Sequence, residues 1–203
     1  MVLITVRDAT AADVPAAAGV LARAFDDYPW TRWSVPADRY RQRLEELQAI
    51  YLGHAIDCGL VVVDENGQGV AAFVPPDAPE LSPDRQQRVG ELLGDRLEML
   101  MATHLPSRPS ASWDLATIGV EPDSWGMGIA SAILTEGLRR MDSLGHAVSL
   151  ETSDPRNVVL YRRFGFGVIS ETQVPNGPAV STMVRKRSAE AQRRSAFPEA
   201  PTH

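Results

Sequence analysis

Residues 119–130 read G-V-E-P-D-S-W-G-M-G-I-A, and this run decides the class of fold. The residues before it, Asp114 to Val120, read as a strand. After it, Ile129, Ile133, Leu134, Leu138 and Met141 recur at helical spacing as far as Gly145. The unit is therefore strand, glycine turn, helix. Gly126 and Gly128 let the backbone take conformations closed to other residues, so that several N–H groups aim at one point. The positive end of the helix lies at that same point. Such a turn can hold a diphosphate without any basic side chain.

Two classes of nucleotide cofactor use this device. A dinucleotide site wants G-x-G-x-x-G directly after the strand and an acid about 20 residues on. Gly126, Gly128 and Glu151 imitate that pattern. Ser131 stands at the third small position, however, and Pro122 to Trp125 lengthen the turn before the first glycine. The unit also falls late in the chain, with one further strand–helix–strand step after it. The turn therefore departs from the dinucleotide pattern and leaves a second class of diphosphate cofactor open.

Working outward, Leu3 to Val6 reads as a first strand, and Thr10 with Asp13 as a capping box opening a helix to about Phe25. F-D-D-Y-P-W-T-R-W, residues 25–33, breaks that helix. A second helix starts near Pro36 and carries Tyr40, Leu44, Leu47 and Tyr51. Leu60–Val63 and Val70–Val74 flank Asn66-Gly67 as a hairpin. A third helix is expected between Pro83 and Thr103, loosened by Gly90 and Gly94. Ala147–Leu150 is a strand, and Asp154-Pro155 opens a helix ending at Phe164-Gly165. Strands at Phe166–Glu171 and Val180–Val184 close the pattern. The order β-α-α-β-β-α-β-α-β-α-β-β is that of a single mixed α/β domain over residues 1–187. Residues 188–203 lack apolar periodicity and are expected to be a disordered tail.

Composition limits the partners. The 203 residues carry 20 Lys+Arg against 26 Asp+Glu, a net charge of -6 that argues against nucleic acid or an anionic membrane as partner. Cys58 is the only cysteine, so neither a disulfide framework nor a cysteine zinc site is expected. His54 and Asp57 share a helical face without further ligands, and no metal is expected. No window approaches the ~18 apolar residues of a membrane span, and M-V-L-I-T-V is too short for a signal sequence. These points suit a cytoplasmic protein, monomer or homodimer.

Trp125, Gly126, Met127, Gly128, Ile129 and Ala130 resemble the acetyl-CoA loop of the GCN5-related N-acetyltransferases, Gln/Arg-x-x-Gly-x-Gly/Ala. Trp125 stands where Gln or Arg is usual. N-V-V-L-Y-R-R-F-G-F, residues 157–166, resembles the family's second cofactor segment, with Asn157 and Tyr161 on one helical face. The resemblance implies acetyl-CoA as cosubstrate and a mostly antiparallel sheet with flanking helices and a V-shaped splay between two central strands. It also implies that Asn157 contacts the pantetheine arm. Tyr161 would protonate the departing thiolate, and a backbone N–H among Ile118, Gly119 and Val120 would polarise the thioester carbonyl. The loop amides through Ser131 would hold the diphosphate.

A narrower resemblance, to the puromycin-acetylating branch of the family, runs through residues 6–15, 24–32, 115–123, 150–157 and 174–178. Residues 77–108 match least. This implies a small primary amine as acceptor, puromycin or a related aminonucleoside, attacking the thioester directly in a ternary complex. Glu151 is the candidate base, acting directly or through water. Asp26 and Asp27 lie on the link that in this family contributes to the acceptor pocket, and Tyr28, Trp30 and Trp33 could wall a flat amine. A non-catalytic acyl-CoA-binding domain is the alternative, with a dinucleotide oxidoreductase behind it.

Overall fold

The computed structural model describes residues 4–187. The expected tail at 188–203 lies outside the described residues, as does Leu3, the first residue of the expected opening strand. Seven strands form one sheet: β1 (Val6–Asp8), β2 (Leu60–Asp64), β3 (Gly69–Val74), β4 (Ser112–Val120), β5 (Ala147–Thr152), β6 (Gly167–Gln173) and β7 (Ala179–Arg185). Their spatial order is β1-β2-β3-β4-β5-β7-β6, antiparallel at every step except β4–β5. The helices are α1 (Val14–Ala24), α2 (Pro29–Ser34), α3 (Tyr40–Cys58), α4 (Pro83–Leu93), α5 (Leu97–Met101), α6 (Ile129–Ser143) and α7 (Pro155–Arg163).

Strand alternation divides the core into layers. Val62, Ala71 and Phe73 face α6 together with Leu115, Val148 and Leu150. Val61, Val63, Val70 and Ala72 face the opposite way, against α1 and α3 through Ala17, Leu21, Leu52 and Ala55. A third cluster packs α3 on α4 through Leu44, Leu47, Val89 and Leu92. The result is a sheet between two helical layers, the arrangement that covers both apolar faces of such strands.

Several boundaries differ from the sequence reading. The first strand lies at Val6–Asp8 rather than Leu3–Val6, because Val6 pairs with Asp64 and Asp8 with Val62. The hairpin loop is wider than an Asn-Gly turn: β2 and β3 stop pairing at Val63–Val70. The buried Asp64 carboxylate organises that loop, accepting from the N–H groups of Asn66 (3.1 Å) and Gly69 (2.6 Å). Pro29 begins a short helix instead of only ending one, in the first-turn position where its missing N–H costs nothing. α3 starts at Tyr40, four residues after Pro36, because Arg39 is left-handed (φ 51°). The third expected helix is two, separated at Gly94 (φ 51°) while Gly90 stays inside α4.

Candidate active site

The site begins where β4 and β5 part. They pair at Ser112–Ala147, Trp113–Val148 and Asp114–Ser149, and no further. β4 continues to Val120 on β3 alone, while β5 continues to Thr152 on β7 alone. An irregularity between Ala72 and Phe73, which leaves Ala116 unpaired, bends β4 at this point. Past Asp114, β4 therefore has one edge with no strand beside it.

Hydrogen-bond alternation tells which peptide groups face that gap. Glu121 N–H donates to the Gln68 carbonyl (2.7 Å), and Glu121 continues the register in which Val120 opposes Gly69 and Gly119 opposes Val70. In an antiparallel pair, residues one apart point their peptide groups oppositely. Gly119 thus bonds towards β3, whereas Ile118 and Val120 present theirs to the gap. Of the three residues singled out for polarising a carbonyl, Gly119 points its N–H away from the gap. Its glycine has another cause: a Cβ there would lie 2.7 Å from Leu21 Cδ2 and 3.1 Å from Ala24 Cβ, so it is what lets α1 cross β4 closely.

The turn after β4 holds both glycines left-handed, Gly126 at φ 81° and Gly128 at φ 86°. Among the described residues, no acceptor meets the N–H groups of Gly126, Gly128, Ile129, Ala130 or Ser131. Met127 N–H turns back to the Ser124 carbonyl, and the Met127 side chain is exposed. Two ties hold the turn, one to α1 and one to the end of β4. Arg23 binds Glu121 through two parallel bonds of 2.8 Å. Trp125 Nε1 donates to the Val120 carbonyl (2.8 Å), so the indole at the unusual position caps the open edge of β4.

A cavity of about 700 Å³ lies over this turn, bounded by the loop, by the α1–α2 link and by α7 through Asn157 and Tyr161. Asp26 and Asp27 line this cavity and not the one beyond it, and both lie within ion-pair distance of Arg32, at 3.3 and 3.4 Å. A second cavity of about 520 Å³ lies between α3 and the other side of the splay, with Trp30, Tyr51, His54 and Glu151 in its walls. Phe25, Tyr28, Ile118, Asn157 and Tyr161 line both. The two spaces therefore meet at the splay.

Trp33 lines neither cavity; its ring is tilted against Trp30 (centroids 5.1 Å apart) and packs against Gly177. Neither Tyr51 nor His54 is a candidate site residue by sequence: Tyr51 reads as part of a packed helical face, and His54 as a histidine paired with Asp57 but lacking further metal ligands.

The titratable groups at the junction are few. Tyr161 is buried, its hydroxyl makes no hydrogen bond among the described residues, and burial pushes its pKa far up. It is a neutral O–H at physiological pH. Tyr28 is tied across the gap: its hydroxyl accepts from Ser153 N–H (2.8 Å) and bonds Thr152 Oγ1 (2.9 Å), while Ser153 Oγ accepts from Trp30 N–H (3.1 Å).

Glu151 lies beside Arg108 (3.9 Å), which also pairs with Asp114. Burial raises both carboxyls; the Arg108 charge opposes this, and Asp114 adds to the rise at Glu151. Cys58 donates to the His54 carbonyl (3.1 Å), and its thiol is pushed up by burial and by Asp57.

Comparison with known proteins agrees with this geometry. The family model described as Acetyltransferase (GNAT) family matches residues 22–166. Among solved structures, a histone acetyltransferase HPA2 and related acetyltransferase from Corynebacterium glutamicum is 25% identical with a TM-score of 0.74, covering 92% of this chain and 98% of that one. The PaiA N-acetyltransferase from Thermoplasma acidophilum, solved with coenzyme A, shares the fold at 13% identity, TM-score 0.60, over 91% of this chain and 99% of its own. The ribosomal-protein-S18-alanine N-acetyltransferase from Escherichia coli does so at 17% identity and TM-score 0.53, over 93% and 97%. The match spans most of the sheet and both cofactor motifs, which decides against the dinucleotide and non-catalytic readings. The chain belongs to the GNAT acetyltransferase family: it is an N-acetyltransferase that uses acetyl-CoA as its cosubstrate.

Proposed function

We propose that this enzyme moves the acetyl group of acetyl-CoA to the primary amine of puromycin or a related aminonucleoside, by direct attack within a ternary complex. The observation that carries this reading is the meeting of two cavities at Tyr28, Ile118, Asn157 and Tyr161. The loop cavity takes the cofactor. The open amides of Gly126, Gly128, Ile129, Ala130 and Ser131 bind its diphosphate, which explains how a chain of net charge -6 holds a polyanion. The pantetheine arm runs along the free edge of β4 past Asn157 and brings the thioester to the junction.

The acceptor enters from the second cavity, between aromatic walls supplied by Trp30 and Tyr51. Its ammonium is drawn to Glu151, which accepts a proton directly or through water and leaves a neutral amine to attack. The carbonyl oxygen gains charge as the tetrahedral intermediate forms, and the N–H of Ile118 or Val120 stabilises it. The C–S bond then breaks and Tyr161 protonates the sulfur. Asp26 and Asp27 sit on the cofactor side, and their part is to shape the α1–α2 link. No acyl-accepting nucleophile takes part, and Cys58 lies outside both cavity linings. The composition fits a cytoplasmic enzyme.

Support for puromycin in particular comes from the similarity that extends outside the cofactor motifs, and from the aromatic second cavity. The test is CoA-thiol release by purified protein given acetyl-CoA and puromycin, with other amines in parallel. Turnover above the amine-free rate, with N-acetylpuromycin identified by mass, is expected. Turnover on other amines alone would remove the substrate and leave the enzyme class standing.

A further inference from the structure

The hydroxyl of Tyr28 is bound to two neighbours, and counting protons shows what that leaves. Thr152 Oγ1 accepts from Asp154 N–H (3.3 Å) and from Asn157 Nδ2 (3.4 Å). A hydroxyl oxygen has two lone pairs and one proton, so Thr152 has only its proton left to give to Tyr28. Tyr28 then accepts from both Thr152 and Ser153 N–H, which fills its own lone pairs. Its phenolic proton stays uncommitted, on a ring that lines both cavities and is fixed by contacts 124 and 125 residues away in sequence.

Tyr161 lies at the same junction and has the complementary need. It is buried, lines the same two cavities as Tyr28, and has no donor on its oxygen among the described residues. Giving up a proton there creates a buried phenolate, which is costly without a hydrogen bond.

We propose that Tyr28 is the group that supplies this bond, donating its free O–H to the Tyr161 oxygen as Tyr161 protonates the departing CoA sulfur. The inference rests on the reading of Tyr161 as the acid. In the step, the C–S bond of the tetrahedral intermediate breaks and its electron pair goes to sulfur. The Tyr161 proton forms the S–H bond, and the resulting phenolate accepts from Tyr28. Nitrogen loses two protons: Glu151 takes the first before attack and passes it to solvent, then takes the second as the intermediate collapses, and solvent restores Tyr161 between turnovers. Tyr28 is on this account a positioning residue acting through Tyr161, and its aromatic ring is secondary.

The test is a double-mutant cycle in kcat. Tyr161→Phe lowers kcat about a hundredfold, with CoA affinity by calorimetry little changed. Tyr28→Phe lowers kcat about tenfold when Tyr161 is present, the size of one lost hydrogen bond, and less than twofold when position 161 is Phe. Equal loss in both backgrounds would reduce Tyr28 to a structural staple and overturn the inference, as would full activity of Tyr28→Phe. Full activity of Tyr161→Phe would instead overturn the underlying reading of Tyr161. Should Tyr28→Phe not fold, fluorotyrosine at position 28 keeps every hydrogen bond and strengthens the donor. It raises kcat only when Tyr161 is present; an equal response in both backgrounds overturns the inference.

Discussion

Glu151 shows how residue chemistry at this site depends on neighbours that local sequence does not announce. Burial and Asp114 push its carboxyl up, while Arg108 pulls it down. The base proposed here works only when ionised, so on that reading activity falls as pH drops through its pKa. Replacing Arg108 by Gln removes the one effect that favours the charged form. The acid limb of kcat/KM should then move to higher pH. Replacing Asp114 by Asn removes a like charge and should move the limb lower. A pH profile of the two variants checks both signs; two limbs unmoved, or moved the same way, would take the base role from Glu151. Neither Arg108 nor Asp114 was legible beforehand. Arg108 lies in a stretch that matches the family least, and only the fold carries it over β4 to Glu151.

At the scale of elements, legibility followed the range of the forces involved. The glycine turn into α6 could be read because its determinants are local: a strand, two glycines that take positive φ, and an apolar helical face. Asn157 and Tyr161 were readable for the same reason, being one helical turn apart on α7. The short α2 was missed because Pro29 looks the same whether a helix ends or begins there. The tie from Tyr28 to the β5–α7 turn was missed because nothing in either segment points to the other.

Gly119 is an intermediate case, visible as a glycine but not for its reason. Its place under α1 predicts that Gly119→Ala, which drives a Cβ into buried Leu21 and against Ala24, lowers unfolding free energy by about 1–3 kcal/mol. Denaturant midpoints at constant slope measure this. An unchanged midpoint would mean that α1 is not held against β4 as described.

For the whole molecule, the sheet is the device that brings two substrates together. Its one parallel pair, β4–β5, opens after three residue pairs, and the gap leads from the cavity over the glycine turn to the cavity under α3. Five residues line both spaces at that opening, and Cys58 is not among them. In the proposed reaction acetyl-CoA and amine are present together. Initial rates measured over a matrix of both concentrations test this most directly. Intersecting double-reciprocal lines, with no acetyl group left on the protein after incubation with acetyl-CoA alone, are predicted. Parallel lines together with an acetylated enzyme would contradict the account.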